Sequence, residues 1–152
     1  MSEMGRFEQR QRITREMLRA ERDKLFVFGD NMLRCGYGGQ AAVMRGEPNA
    51  VGIPTKWRPS MEDAAFFRDF DFPTIKRDLD EAMTRLHRHM RQGGGVVWPA
   101  DGVGTGLAKL PTRAPRIARY IGLCRTALEA LSEASLSPAP LDPRCPSYVR
   151  RG

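Results

Sequence analysis

The sequence predicts an α/β fold with a mostly parallel sheet and helices on its faces. Three observations support this: short apolar runs that suit buried strands, longer stretches with helical periodicity, and glycine-rich loops that directly follow two of the strands. Strand, loop and helix alternate along the chain, as in α/β proteins. A length of 152 residues is sufficient for one domain with its own apolar core.

Three continuous apolar runs are the predicted strands. Their residues are apolar at successive positions rather than at alternate ones, so both faces of each strand are expected to be buried. Gly29, Pro54 and Pro99 are the residues expected to end them. The predicted bounds are 25–28, 50–53 and 96–98.

Helices are predicted between these strands and after the last one. Thr14 is a candidate cap for a short helix that leads to Asp23, and a second short helix over 41–45 is closed by Gly46. Two long helices follow, because apolar residues recur at steps of three and four. The two stripes are Ile75, Leu79, Met83, Leu86, Met90 and Ile117, Ile121, Cys124, Leu128, Leu131.

The predicted domain spans residues 1–134. Its first part, 1–13, is a weakly defined N-terminal extension in which Phe7 stands at loosely helical spacing from the next apolar residues. From residue 135 onward, four prolines exclude a regular helix or strand. Residues 135–152 are therefore predicted to form a Pro-rich tail, extended or disordered.

Charge is the main compositional signal about partners. Lys and Arg number 25 and Asp and Glu number 18, which gives a formal net charge of +7. A basic protein of this kind is suited to an anionic partner, either nucleic acid or a phosphorylated small molecule. The alternative is a solvated basic surface, because the charges form no contiguous run.

Cysteine usage and hydropathy favour a cytoplasmic protein. The cysteines Cys35, Cys124 and Cys145 are odd in number and widely spaced, which favours reduced thiols. No apolar run approaches the ~20 residues of a membrane helix, and the polar N-terminus does not resemble a secretory signal. His87 and His89 would point to different faces of a helix, so they make a poor pair of metal ligands. The sequence predicts no metal site and no cofactor.

Glycine is concentrated in two short windows. Of 15 glycines, six lie within 29–52 and six within 93–106, and both windows contain a loop that follows a predicted strand. At the carboxyl edge of a parallel sheet, such loops can bring backbone N–H groups close to an anion. The alternative is that the glycines only permit tight turns between strand and helix.

Two common nucleotide-binding patterns fit poorly. Residues 36–41 match G-x-G-x-x-A, but the first glycine stands eight residues beyond the strand end, and Glu62 is the only candidate for the acidic ribose ligand. A dinucleotide-dependent dehydrogenase is therefore disfavoured. No Walker lysine follows either glycine loop, which also disfavours a P-loop NTPase.

Four segments carry a resemblance to a known family. Residues 26–31, 36–41, 52–56 and 102–107 read FVFGDN, GYGGQA, GIPTK and GVGTGL. In this order they resemble the macrodomain superfamily, in particular small phage and bacterial macro-like proteins, over roughly residues 14–125. The resemblance implies a macro-like three-layer fold that binds ADP-ribose or a related nucleotide.

The resemblance also implies which residues contact the ligand. Asn31 corresponds to an asparagine that contacts the distal ribose, and the first glycine loop lies beside it. The second glycine loop corresponds to one that wraps the diphosphate. The implied ligand-binding residues are Asn31, Gly36, Gly38, Gly39, Gln40, Thr55, Gly102, Gly104, Thr105 and Gly106.

Residues 53–60 are similar to a branch of that superfamily that removes ADP-ribose from glutamate or from DNA bases. Lys56 stands at the position of its catalytic lysine, so the resemblance implies attack on the anomeric carbon or its stabilisation. Attack needs a depressed lysine pKa, and an ammonium would instead act electrostatically. Where glutamate-directed members carry an assisting acid, this chain has Ala108, and Asp30 or Asp101 are the candidates to replace it.

Together these features predict a protein that binds ADP-ribose, or DNA or RNA carrying it, and hydrolyses the ADP-ribosyl bond with Lys56 and Asp30 as candidate catalytic residues. One alternative is a non-catalytic protein that reads or sequesters a nucleotide signal. Another is a basic nucleic-acid-binding module. Tyr37 and Trp57 are candidates to stack on a base or, alternatively, to cover the core.

Overall fold

The chain folds around a four-stranded sheet in which every pair of neighbouring strands is parallel. The structure is a computed structural model, and it describes residues 3–135. The strands are β1 (Phe7–Arg10), β2 (Lys24–Asn31), β3 (Ala50–Lys56) and β4 (Gly95–Pro99), in the order β1-β4-β2-β3 across the sheet. The predicted α/β class with a parallel sheet is confirmed.

Helices cover both faces of the sheet and complete three layers. On one face lie α1 (Arg15–Ala20) and α2 (Ala41–Met44). The other face carries α3 (Phe72–Arg91), α4 (Leu110–Arg113) and α5 (Pro115–Ser135). Within the described residues, no helix is long and apolar enough to cross a membrane.

β2 shows why the central strands are continuous apolar runs. Phe26 and Phe28 pack with Leu18 and Met44 under the short helices, whereas Val27 belongs to the larger core under the long helices. Successive side chains of a strand point to opposite faces, so a strand between two helix layers must be apolar at every position.

β4 ends at Pro99 as expected, but Gly29 and Pro54 do not end their strands. β2 continues through Gly29 and Asp30 to Asn31, and β3 continues through Pro54 to Lys56. β3 is an edge strand, where proline is tolerated because its missing N–H need not leave a neighbouring carbonyl unpaired. These extensions bring polar residues into regular strand positions at the carboxyl edge of the sheet.

The N-terminal segment contains a strand rather than a loosely helical extension. β1 pairs in parallel with β4, with Phe7 opposite Val96, and the Phe7 ring lies 6.0 Å from the ring of Trp98. Its only apolar residue in four is Phe7, so it carries no strand periodicity of its own. The prediction of helical spacing for this segment is therefore wrong.

Apart from Ser135 at the end of α5, the predicted tail 135–152 lies outside the described residues.

Gly5 is a position where a side chain would detach β1 from the core. A Cβ there would overlap the carbonyl oxygen of Gly94, and backbone cannot yield as a flexible side chain can. We expect Gly5→Ala to lower the free energy of unfolding by about 2 kcal/mol, measured by denaturant titration. Gly122→Ala, in open space on α5, is the matched control and should raise it by about 1 kcal/mol. Equal effects of the two substitutions would contradict the packing described for Gly5.

Candidate functional site

A cleft opens at the carboxyl ends of β2 and β3, between the two glycine loops. Its volume is about 490 Å³. Ten of the twelve residues predicted for the site line it: Asp30, Asn31, Gly36, Gly38, Gly39, Gln40, Thr55, Lys56, Gly104 and Gly106. The other two, Gly102 and Thr105, do not: the carbonyl of Gly102 accepts a bond from Gln40, and the Thr105 hydroxyl donates to the carbonyl of Asp101.

An irregularity between β2 and β3 brings three of these side chains together. Asp30 pairs with Pro54, but Asn31 pairs with Lys56, so Thr55 is left without a partner residue on β2. The Thr55 hydroxyl fills the gap by donating to the carbonyl of Asp30 at 3.0 Å. Such bulges re-aim side chains, and here Asn31, Thr55 and Lys56 all reach one cleft.

Asp30 is a buried ion-pair partner rather than a free acid. Its carboxylate pairs with Arg45 and, at 3.3 Å, with Arg34, and it accepts the N–H of Asn31 at 2.8 Å. A Cβ at Gly52 would collide with this carboxylate, so the glycine on β3 is what gives it space. The structure thus surrounds this candidate catalytic residue with partners.

Arg45 links the carboxylate of Asp30 to the backbone of the first glycine loop. Its Nε–H donates to the carbonyl of Gly36 at 2.6 Å, and a terminal N–H donates to the carbonyl of Cys35 at 3.2 Å. The Arg45 side chain is largely buried and lines the cleft. Sequence patterns did not identify Arg45, because nothing local links a residue after α2 to a carboxylate on β2.

Gln40 braces the two glycine loops against each other. Its Oε1 accepts the N–H of Gly29 at 2.8 Å, and its Nε2 donates to the carbonyl of Gly102 at 2.9 Å. Both ends of the amide are therefore engaged by backbone. Gln40 lines the cleft, as predicted, but its contacts position the loops.

Both loops offer backbone donors. Within the described residues, the N–H groups of 35–40 and of 103–108 make no hydrogen bond to protein. Gly36, Gly39 and Gly104 have positive φ angles of 92°, 56° and 80°, which side chains with a Cβ rarely adopt. Successive free N–H groups in such loops form concave sites for anions.

Lys56 is a buried cation without an acidic partner. The residue is 8% exposed, its Nζ lies 4.6 Å from the centre of the Phe66 ring, and it donates to the Met61 Sδ at 3.6 Å. No carboxylate of the described residues forms an ion pair with it. Burial, and then the charge of Lys109, lower the pKa of Lys56 below its ordinary value.

Asn31 presents an oxygen that the protein leaves unpaired. The residue is 6% exposed, and its Nδ2 donates to the carbonyl of Cys35 at 2.7 Å. That bond requires the amide orientation in which Oδ1 has no partner among the described residues. A buried acceptor without a donor is costly, so its presence in the cleft lining favours a ligand hydroxyl or N–H.

Apolar side chains lie at the mouth of the cleft. Tyr37, Met61 and Leu107 line it and are 68%, 54% and 54% exposed. Trp57, the other stacking candidate, is absent from the lining: its ring packs edge-on against Phe67 at 5.2 Å and joins the core. Of the two, only Tyr37 is placed where it could stack on a ligand.

Nothing in residues 3–135 gathers three or more His, Cys, Asp or Glu side chains that could hold a metal ion. Fold and site together define a three-layer α/β domain with a cationic cleft between two glycine loops. The chain belongs to a family of unknown function (DUF7831), whose family model matches residues 8–123 and so covers every residue of this cleft. No curated protein and no solved structure matches the chain.

The pairing of Asp30 with Arg45 predicts a structural role for Asp30 that a measurement of stability can test. Asp30→Asn would leave a largely buried guanidinium without its counter-charge, so we expect the free energy of unfolding to fall by about 3 kcal/mol. Glu81→Gln removes a carboxylate from the exposed pair with Arg77 and should change it by less than about 0.5 kcal/mol. Full stability of Asp30→Asn in denaturant titration would contradict this structural role.

Proposed function

We propose that the cleft binds ADP-ribose or an ADP-ribosylated substrate, and that Lys56 supports hydrolysis of the ADP-ribosyl glycosidic bond. The observation that carries the proposal is the unpartnered Oδ1 of Asn31 in a cleft that also holds an unpaired lysine. The resemblance of the same segments to macrodomains adds to it.

The chemistry of the lining matches the parts of this ligand. The free N–H groups of the two loops suit the negative charges of a diphosphate. The Asn31 oxygen suits a ribose hydroxyl, which can donate to it. Tyr37 at the mouth suits a base, since aromatic rings stack on nucleobases. A volume of about 490 Å³ lies within the usual range of small-molecule sites.

Lys56 can act in two ways on the anomeric carbon of the distal ribose. As a neutral amine it attacks that carbon and forms a C–N bond. The bond between the carbon and the leaving group breaks, and the leaving group keeps the electron pair and takes up a proton. Water afterwards replaces the lysine and releases ADP-ribose. As an ammonium it instead stabilises negative charge that develops on the leaving group. The lowered pKa of Lys56 favours the first route.

The net charge of +7 favours a nucleic acid as the carrier of ADP-ribose, because a basic surface attracts the polyanion around the modified site. A cytoplasmic location is part of the same proposal. Competition distinguishes this from a basic nucleic-acid-binding module, whose steeply salt-dependent binding would survive saturation with ADP-ribose.

A second candidate function is binding without catalysis. Ala108 lines the cleft and is buried, and it occupies the place where the resemblance leads us to look for an assisting acid. A protein that reads or sequesters an ADP-ribosylated molecule needs the loops and Asn31 but not that acid. Stoichiometric binding with no product from any substrate would select this candidate.

Calorimetry with ADP-ribose tests the binding proposal directly. We expect one site per chain, with AMP and ribose 5-phosphate binding more weakly because each engages only part of the lining. Asn31→Ala should weaken the affinity by about tenfold, which corresponds to about 1.4 kcal/mol. Gly122→Ala, outside the cleft, serves as the control. The absence of heat at millimolar ADP-ribose would refute the proposal.

Lys56→Met tests the catalytic part. The substitution replaces a buried, unpaired ammonium with an uncharged side chain, so we expect the free energy of unfolding to stay equal or rise. Release of ADP-ribose from modified DNA or protein should nevertheless be lost. In the wild type, the rate should increase with pH through the lowered pKa of Lys56, because only the neutral amine attacks. Unchanged turnover in a folded Lys56→Met variant would remove Lys56 from the mechanism.

A further inference from the structure

Lys56 has an unusual set of neighbours for a buried lysine. Its Nζ lies over the face of the Phe66 ring at 4.6 Å, and the thioether of Met61 accepts its hydrogen bond at 3.6 Å. Both groups attract a cation only weakly, and neither carries a charge. A carboxylate at either place would hold the ammonium firmly and compete with an incoming anion.

The two neighbours differ in exposure. Phe66 is buried, and its backbone bridges to Lys56, so it belongs to the fixed wall of the site. Met61 is 54% exposed, lies in the segment between β3 and α3, and lines the cleft together with Lys56. Met61 is therefore the solvent-exposed neighbour of Nζ, and Phe66 is the buried one.

The other charged groups around Lys56 are already accounted for. Asp30 lines the same cleft from β2 but is paired with Arg45 and Arg34. Lys109, in the loop before α4, is a like charge close enough to affect Lys56.

Two further acids near the neighbours of Lys56 are paired with arginines. Arg113 lies over the Phe66 ring at 4.4 Å and is paired with Asp63. Glu62 follows Met61 along the chain but is paired with Arg58 and largely exposed. Among residues 3–135, the thioether of Met61 is therefore the hydrogen-bond acceptor offered to this lysine.

We propose that Met61 is a positioning residue for Lys56: its thioether caps the Nζ atom with an uncharged acceptor, excludes water from it, and leaves the lysine free for the ligand. The inference deepens the proposed function, on which it rests, because it concerns the same lysine. Methionine suits the role because its unbranched side chain can swing aside when a ligand enters.

The test is the reactivity of Lys56 toward acetic anhydride as a function of pH, with each lysine quantified by mass spectrometry. The chain has four lysines, and Lys76, paired with Asp80 on α3, is an internal reference in the same sample. The midpoint of the pH profile reports ionisation, whereas easier access raises the rate at every pH. The assay needs no nucleotide, so its failure is distinguishable from a failure of ADP-ribose binding.

Three substitutions separate the properties of Met61. Met61→Leu keeps an apolar cap and should preserve the midpoint at Lys56. Met61→Ala admits water and should move it upward, toward the ordinary lysine value. Met61→Glu supplies a carboxylate and should move it upward by about one unit, a tenfold loss of neutral amine near pH 7. Leu123→Glu, an exposed position on α5, is the control and should change nothing at Lys56.

A pH profile of Lys56 that is identical in the wild type, Met61→Ala and Met61→Glu would overturn the inference. A midpoint that moves equally at Lys56 and Lys76 would also overturn it, because the effect would then be global. Where turnover is measured, Met61→Glu should lower kcat near pH 7 more than it raises KM, and raising the pH should restore kcat. A kcat that high pH does not restore would contradict the inference, because Met61 would then not act through the ionisation of Lys56.

Discussion

The buried ion pair between Asp30 and Arg45 is the interaction on which the rest of the cleft depends. Asp30 stands near the end of β2, and Arg45 follows α2, so the pair ties the first glycine loop back to the sheet. The guanidinium also donates hydrogen bonds to the carbonyls of Cys35 and Gly36, and it lies 5.5 Å from the centre of the Phe28 ring. A loop rich in glycine would otherwise be costly to order, because glycine loses the most conformational freedom.

Asp30 and Lys56, the two charged residues at the carboxyl edge of the sheet, differ in whether they have a partner of opposite charge. Asp30 is saturated with donors, whereas Lys56 has an aromatic face, a thioether and no acid among the described residues. Burying an unpaired cation costs stability, and so does leaving the Oδ1 of Asn31 without a donor. Both costs fall in one cleft, which is the pattern expected of a binding site rather than of a packed core.

The position of these groups follows from one irregularity in the sheet. Because Asn31 pairs with Lys56 and Thr55 is skipped, residues that a regular strand would send to opposite faces reach the same cleft. Gln40 then sets the distance between the loops through the backbone of Gly29 and Gly102. The free N–H groups of the loops are consequently held by contacts of each loop with the other and with β2.

Local chemistry was sufficient to predict the central strands, the two long helices and both glycine loops, because apolar periodicity and glycine are properties of short segments. The resemblance of four segments to macrodomains led to ten residues that the structure gathers in one cleft. Contacts between distant segments decided the rest. β1 exists because β4 pairs with it, Pro54 stays in a strand because β3 lies at an edge, and Asp30 is occupied because Arg45 reaches it. Met61 reaches Lys56 through the course of an irregular segment. Such pairings leave no periodic signal in the chain, since their energy arises only when the folded backbone brings the partners together.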